Sequence, residues 1–266
     1  SYMIIIGEKI NATLSSVKSI ILNRETENLI NLAKKQAESG ANFIDVNVGT
    51  GVGSFEDEIK SIQWAAESIQ EQIKTPLCID SADPKVLEAG LKILDNKPAM
   101  INSAKAEKYQ LDAIVPLAAE HNSYFIALAM DESGIPKTVE GRLRCCDTIL
   151  GACEKYGVSI QNLYIDPLVM PISTDINSGM VTLKTLTAIK EKFPGARTVT
   201  GLSNVSYGLP DRGRLNVAYL HMCISAGLDA AIIDPLDQAL MAAVKTGEVL
   251  AGKDRHCRRY MRAFRK

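Results

Sequence analysis

Acids and amides recur in this chain at the ends of short apolar runs. Ile4-Ile5-Ile6 leads to Glu8, Phe43-Ile44 to Asp45, Leu77-Cys78-Ile79 to Asp80, and Met100-Ile101 to Asn102. Leu163-Tyr164-Ile165 leads to Asp166, Leu202-Ser203 to Asn204, and Ile232-Ile233 to Asp234. Asn47 follows Asp45 at a spacing of two. Carboxylates accept paired N–H groups, while carboxamides offer a donor and an acceptor side by side. Taken singly, each residue reads as a cap or a loop hydrogen-bonder. Repeated just past one apolar run after another, they describe a cavity rimmed by carboxylates and carboxamides.

Asp45, Asp80, Asp166, Asn47, Asn102 and Asn204, converging in one mouth without a histidine, suit a neutral planar ligand whose edge alternates donors and acceptors. A pterin edge, with its 2-amino group, N3–H and 4-oxo group, has that pattern. Clustered oxygens also suit magnesium. The chain has no H-x-H and no D-x-D loop, and His121, His221 and His256 fall in or beside helical stretches, so no metal of its own is expected. No Ser or Cys at a strand end has a histidine partner, which leaves nucleophilic catalysis without a base. The glycine-rich stretch Asn47-Val48-Gly49-Thr50-Gly51-Val52-Gly53 reads either as a nest of backbone N–H groups for an anion or as a flexible lid beside the cavity.

The elements that must position these residues follow from the apolar pattern. Parallel strands buried on both faces read as near-continuous Ile/Val/Leu runs, and such runs lie near residues 4–6, 43–46, 77–79, 99–101, 124–128, 163–165, 198–201 and 230–233. Between them are stretches of helical period. Ile59, Ile62, Ala66, Ile69 and Ile73 follow Ser54, which has Asp57 three residues on as an imperfect capping box. Val86, Leu87, Leu91 and Leu94 follow the N-cap pair Asp83-Pro84. A βα unit of roughly 35 residues repeated eight times predicts an α/β fold, a (β/α)8 TIM barrel forming one domain over residues 1–266. A doubly wound open sheet is the runner-up, but no GxGxxG follows the first strand. The long loops 48–55, 167–179 and 204–214 then lie on the face where the strand C-termini open.

Bulk properties narrow the function. A formal net charge of -1 provides no field for holding nucleic acid. No apolar stretch approaches the roughly 20 residues needed to span a bilayer, and a cytoplasmic protein is expected. The six cysteines form no CxxC pair and fall mostly in apolar runs, as in a reducing compartment. Ser1-Tyr2 reads as an addition ahead of a natural start at Met3. The basic tail Arg255, Arg258, Arg259, Arg262, Arg265, Lys266 reads as a solvated last helix.

Six short motifs in order carry a resemblance: Ile6-Gly7-Glu8-Lys9-Ile10-Asn11, Asp45-Val46-Asn47-Val48-Gly49, Cys78-Ile79-Asp80-Ser81, Met100-Ile101-Asn102-Ser103, Tyr164-Ile165-Asp166-Pro167 and Gly201-Leu202-Ser203-Asn204-Val205-Ser206. Together they resemble the pterin-binding methyltransferases that move a methyl group between tetrahydrofolate and a corrinoid protein. This family is related to the methyltetrahydrofolate-binding module of cobalamin-dependent methionine synthase and, more distantly, to dihydropteroate synthase.

The resemblance implies a pterin-binding type of barrel, usually homodimeric, with tetrahydrofolate or methyltetrahydrofolate as substrate. The cobalamin is expected on a separate corrinoid-binding protein, since the barrel consumes the 266 residues. By the same resemblance Asp80, Asn102 and Asp166 grip the pterin edge, and Asn204 places its amide near N5 and is the expected catalytic residue. Glu8, Asn11, Asp45 and Asn47 support them. Arg212 matches the family's arginine and is expected at the glutamate tail, whereas Tyr207 stands where acetogen-type members have glutamine. Two alternatives remain at this stage. A dihydropteroate synthase-like enzyme would need an R-x-H motif on its last strand, which Ala230-Ala231-Ile232-Ile233-Asp234 lacks. A non-catalytic folate-binding subunit would not need Asn204.

Overall fold

In the computed structural model, which describes residues 1–95 and 98–266, eight parallel strands close into a barrel in sequence order. They are β1 (Ile4–Asn11), β2 (Phe43–Asn47), β3 (Leu77–Asp80), β4 (Met100–Lys105), β5 (Tyr124–Leu128), β6 (Leu163–Asp166), β7 (Arg197–Thr200) and β8 (Ala230–Ile233). Two helices, α1 (Ser15–Leu22) and α2 (Thr26–Glu38), follow β1. Then α3 (Phe55–Gln72), α4 (Pro84–Ile93), α5 (Lys108–Glu120), α6 (Val139–Tyr156), α7 (Ser178–Lys192), α8 (Arg212–Ala226) and α9 (Gln238–Leu250) follow β2 to β8 in turn, and α10 (Arg258–Phe264) comes last. The molecule is a (β/α)8 barrel, as the spacing predicts.

Strand periodicity builds the floor of the mouth. Ile6, Phe43, Cys78, Met100, Ile126, Tyr164, Val199 and Ala230, one from each strand, form a single buried cluster inside the barrel. Phe43, Tyr124 and Tyr164 meet edge to face within it, with ring centroids 5.9 and 6.0 Å apart. Two residues further along, on the same inward face, come Asp45 after Phe43, Asp80 after Cys78, Asn102 after Met100 and Asp166 after Tyr164. The intervening Ile44, Ile79, Ile101 and Ile165 point the other way, into the core shared with the helices. An apolar plug therefore carries a polar layer above it.

The helix starts agree with their sequence signals. Ser54 and Asp57 form both halves of a capping box, so the imperfect box is a complete one. The Asp83 side chain accepts the Lys85 N–H ahead of Pro84 at the head of α4. Gly227 ends α8 at φ 110°, in the left-handed region that glycine enters without steric cost.

Three features depart from the sequence expectations. Strand β1 continues to Asn11 through a bulge between Gly7 and Ile10, because β2 still offers partners at Val46 and Asn47. Strand β4 likewise runs to Lys105, with a register shift after Asn102, alongside β5. The basic tail is not wholly solvated: Arg259 pairs with Glu248, whose side chain is only 1% exposed, at 2.8 Å. All six cysteines are free thiols, and only Cys257 is exposed. Among the described residues no helix is long and apolar enough to cross a membrane.

Candidate active site

The most tightly knit part of the polar layer joins β2, β3 and β4. Asn102 donates its side-chain N–H to Asp45 Oδ2 at 3.0 Å. Asp45 is almost fully buried and hydrogen-bonded to Asp80, which also meets the Asn47 side chain. Burial, and then the neighbouring Asp80, push the Asp45 carboxyl well above the usual carboxylate range. Burial also raises Asp80, against the hydrogen bonds from Asp45 and Asn47 that favour its charged form. Two adjacent buried carboxyls cannot both ionise cheaply, so the pair shares a proton. The more deeply buried Asp45 holds it, and Asp80 is the carboxylate.

Asp166 sits at the end of β6. Its Oδ1 accepts the Leu168 N–H at 2.8 Å and the Thr200 hydroxyl at 3.0 Å, while Oδ2 takes no hydrogen bond among the described residues. Burial pushes its carboxyl up to about 6, opposed by those two bonds and by the Arg142 charge. At neutral pH Asp166 is thus largely an anion with one oxygen held and one free.

Asn204 does not lie at a strand end. It occupies a 3-10 turn, Ser203–Ser206, beyond the last residue of β7. Its Nδ2 donates to Val169 O at 3.0 Å, which ties it to the segment just after Asp166 and leaves Oδ1 as an acceptor. Arg212 holds the same turn from below: its Nε donates to Ser206 Oγ at 3.0 Å and its Nη2 to Ser203 O at 2.7 Å. Tyr207 is 61% exposed, with the Arg212 guanidinium 6.0 Å from its ring centre. The Tyr207 carbonyl accepts from Ser173 Oγ at 2.7 Å, which latches the loops after β6 and β7 together.

The remaining expected residues have smaller parts. Glu8 is half-buried in the β1 bulge. Burial first, then Asp234, raise its carboxyl to about 7, with Lys9 opposing them. Asn47 Oδ1 accepts the Gly49 N–H at 3.0 Å and so starts the glycine-rich loop. That loop shares a surface groove with Asp57, Glu58 and Arg24, a lining that does not favour an anion. Asn11 Oδ1 is taken by the backbone and hydroxyl of Thr13, at 3.0 and 2.9 Å, and serves a turn.

Two site residues are absent from the sequence expectations. Thr200 reads as an ordinary strand-former in a β-branched run. Arg142 carries a visible signal: with Cys145, Cys146 and Ile149 it falls on the buried stripe of α6, a charge where apolar side chains belong.

Residues 7–234 match the family model described as pterin binding enzyme. The chain is 36% identical over 265 residues to the methylcorrinoid:tetrahydrofolate methyltransferase of Eubacterium limosum, covering 99% of this chain and 96% of that protein. It is 30% identical over 244 residues to the methionine synthase of Mycobacterium tuberculosis, covering 87% of this chain and 20% of that much longer enzyme. Among solved structures, 7,8-dihydropteroate synthase from Vibrio fischeri superposes with a TM-score of 0.76 over 95% of this chain and 94% of the other, at 19% identity. At that identity the likeness is one of fold.

Proposed function

The chain belongs to the pterin-binding enzyme family, and from that premise we propose that it is a methyltransferase acting between N5 of tetrahydrofolate and the cobalt of a separate corrinoid protein. The observation that carries the proposal is the likeness, over nearly the whole of both chains, to a methylcorrinoid:tetrahydrofolate methyltransferase. The polar layer of Asp80, Asn102 and Asp166 supports it, because it suits the donor-rich edge of a pterin.

In this reading Asp80 and the free Oδ2 of Asp166 accept pterin N–H groups. Asn102, turned by the N–H it gives to Asp45, offers its oxygen. Asn47 and Glu8 flank the pterin, and Arg212 faces the acidic tail of folate beside Tyr207. The partner's corrinoid supplies the cobalt that receives or gives the methyl group, while the electron pair of the broken N5–C bond stays on nitrogen. A tertiary amine is a poor leaving group, so N5 must gain a proton before or during transfer. Asn204 Oδ1 accepts that N–H and favours the charged amine without burying a second ion. One transition state serves both directions of transfer.

The proposal extends to a homodimer, from the family resemblance, and to a cytoplasmic one-domain chain with no metal of its own, from the strand spacing, the apolar pattern and the lack of strand-end histidines; light scattering and metal analysis of purified protein check the dimer and the metal. The central test mixes the protein with methyltetrahydrofolate and free cobalt(I) corrinoid after chelator treatment and follows the cobalt(I) absorbance. Its decay with turnover is the expected result. Folate binding without turnover would make the protein a binding subunit, and neither binding nor turnover would remove the folate reading.

A further inference from the structure

We infer that Arg142 of α6 is a positioning residue: it fastens the segment from Asp166 to Val169 and thereby aims both Asp166 and Asn204. What those two residues bind rests on the folate reading; the fastening does not.

Arg142 is 2% exposed and forms no ion pair among the described residues. A buried cation without a carboxylate partner is costly unless its N–H groups are satisfied. Here they meet neutral oxygens. Nε donates to Pro136 O at 2.9 Å, and Nη1 lies within hydrogen-bond distance of Pro167 O (3.0 Å), Leu168 O (2.9 Å) and Thr182 Oγ1 (3.2 Å). The Thr182 hydroxyl adds its own bond to Leu168 O at 2.7 Å. Leu168 has φ 70°, a conformation a leucine rarely adopts and keeps only when its surroundings hold it there.

The consequence lies in what the same residues do on their other sides. The Leu168 N–H binds Asp166 Oδ1, and the next carbonyl, Val169 O, receives the Asn204 amide. Asp166 and Asn204 come from different loops, and both take their orientation from the stretch that Arg142 holds.

Arg142 also adds to the bonds from Leu168 and Thr200 in favouring the charged form of Asp166, as the weakest of the three. The groups facing Asp166 are Arg142 from α6, the Thr200 hydroxyl from β7 and the Cys223 thiol from α8; Tyr219 of α8 faces Arg142. Burial pushes the thiol up to about 12 and raises the phenol, so both are neutral at working pH. Arg142 is the one cation among these groups.

Carboxyl carbon-13 NMR, with the Asp166 signal assigned by its loss in Asp166→Asn, reads this without folate; titration calorimetry with tetrahydrofolate reads the site. Arg142→Gln should raise the Asp166 midpoint. Arg142→Lys keeps the charge but cannot span from Pro136 O to Thr182, so the midpoint should stay while folate affinity falls about tenfold. An unmoved midpoint in folded Arg142→Gln overturns the charge role, and parental affinity in Arg142→Lys overturns the positioning role. If Arg142→Gln fails to fold, the lysine variant still decides, because a shifted midpoint or an unchanged affinity there contradicts the assignment. Parental affinity in Asp166→Asn would instead overturn the folate reading, and the NMR titration would still judge Arg142.

Discussion

The Asn102 side-chain amide donates to the Asp45 carboxyl at 3.0 Å, and this bond fixes which way the Asn102 amide is turned. Asp45 itself is 3% exposed, so it acts on a ligand only through Asn102 and Asp80. Its proton goes to Asp80 and its other oxygen accepts from Asn102. An asparagine reproduces both contacts, with NH2 toward Asp80 and oxygen toward Asn102. Asp45→Asn should therefore bind tetrahydrofolate within about twofold of the parent, whereas Asp45→Ala should lose about 1–2 kcal/mol by titration calorimetry. Equal losses in both variants would mean that the ionised form of Asp45 matters.

Asp166 titrates near 6, so its carboxylate is progressively lost on acidification through that value. If the carboxylate accepts pterin N–H groups, folate affinity should fall as pH drops below about 6 and level off above about 7. Near neutral pH, Asp166→Ala and Asp80→Ala should each cost about 1.5–3 kcal/mol, the range for a hydrogen bond to a charged group. Unchanged affinity in both variants would sink the assignment.

The same shifts have a cost in the ligand-free protein. Asp166 is raised from 3.8 to about 6 and Glu8 from 4.5 to about 7. A folded-state value above the unfolded one contributes stability that is complete below the unfolded value and lost as pH rises through the folded one. Urea unfolding should accordingly show stability falling between about pH 4 and pH 7, from the unfolded values of these acids to their folded ones. Asp166→Asn should be more stable than the parent near neutral pH, by at most on the order of 3 kcal/mol. A parent whose stability rises across that window would contradict the burial of these acids.

The polar layer was legible because its geometry is local. A strand has period two, so an apolar Phe43, Cys78, Met100 or Tyr164 on the inner face puts Asp45, Asp80, Asn102 or Asp166 on that face as well. Asn204 is harder to place from periodicity, because a 3-10 turn separates it from β7 and its position depends on Val169 O across the mouth. Arg142 shows the other limit. Its place on the buried stripe of α6 is visible in the spacing, but its partners are backbone carbonyls of two loops and the Thr182 hydroxyl, whose positions depend on the folded chain. The first helix after β1, α1, and the continuation of β1 to Asn11 were likewise set by packing against neighbours rather than by local pattern, whereas the stripe Leu29, Leu32, Ala33, Ala37 ahead of Gly40 marks α2 in the sequence.

Arg259 closes the base of the molecule. Its Nη1 lies 2.8 and 3.0 Å from the two oxygens of Glu248, whose Oε1 also accepts the Met3 N–H at 2.6 Å. Removing the cation leaves a buried carboxylate with one backbone donor. Arg259→Ala should lose about 2 kcal/mol of stability or more in thermal or urea unfolding. Methyl transfer measured well below the melting point should be unaffected, since this pair lies at the chain ends and not among the strand-end acids. A stability equal to the parent's would show Glu248 to be satisfied without Arg259.

Asn204 carries the sharpest kinetic prediction. The Nδ2 bond to Val169 O fixes the orientation of the amide and leaves Oδ1 free; in the proposed function Oδ1 meets N5, where an acceptor has a strong partner only when N5 carries a proton. Such a contact would be made in the transition state and hardly at all in the bound, unprotonated substrate, so its removal should appear in the rate and not in the affinity. Asn204→Ala should slow single-turnover methyl transfer by roughly 10²-fold or more, comparable to losing an oxyanion-hole donor, while folate affinity changes less than about threefold. Stopped-flow decay of cobalt(I) absorbance at saturating methyltetrahydrofolate reads the chemical step. A rate near that of the parent would assign N5 activation to solvent or to another group, with the half-buried Glu8, raised to about 7, the first to examine.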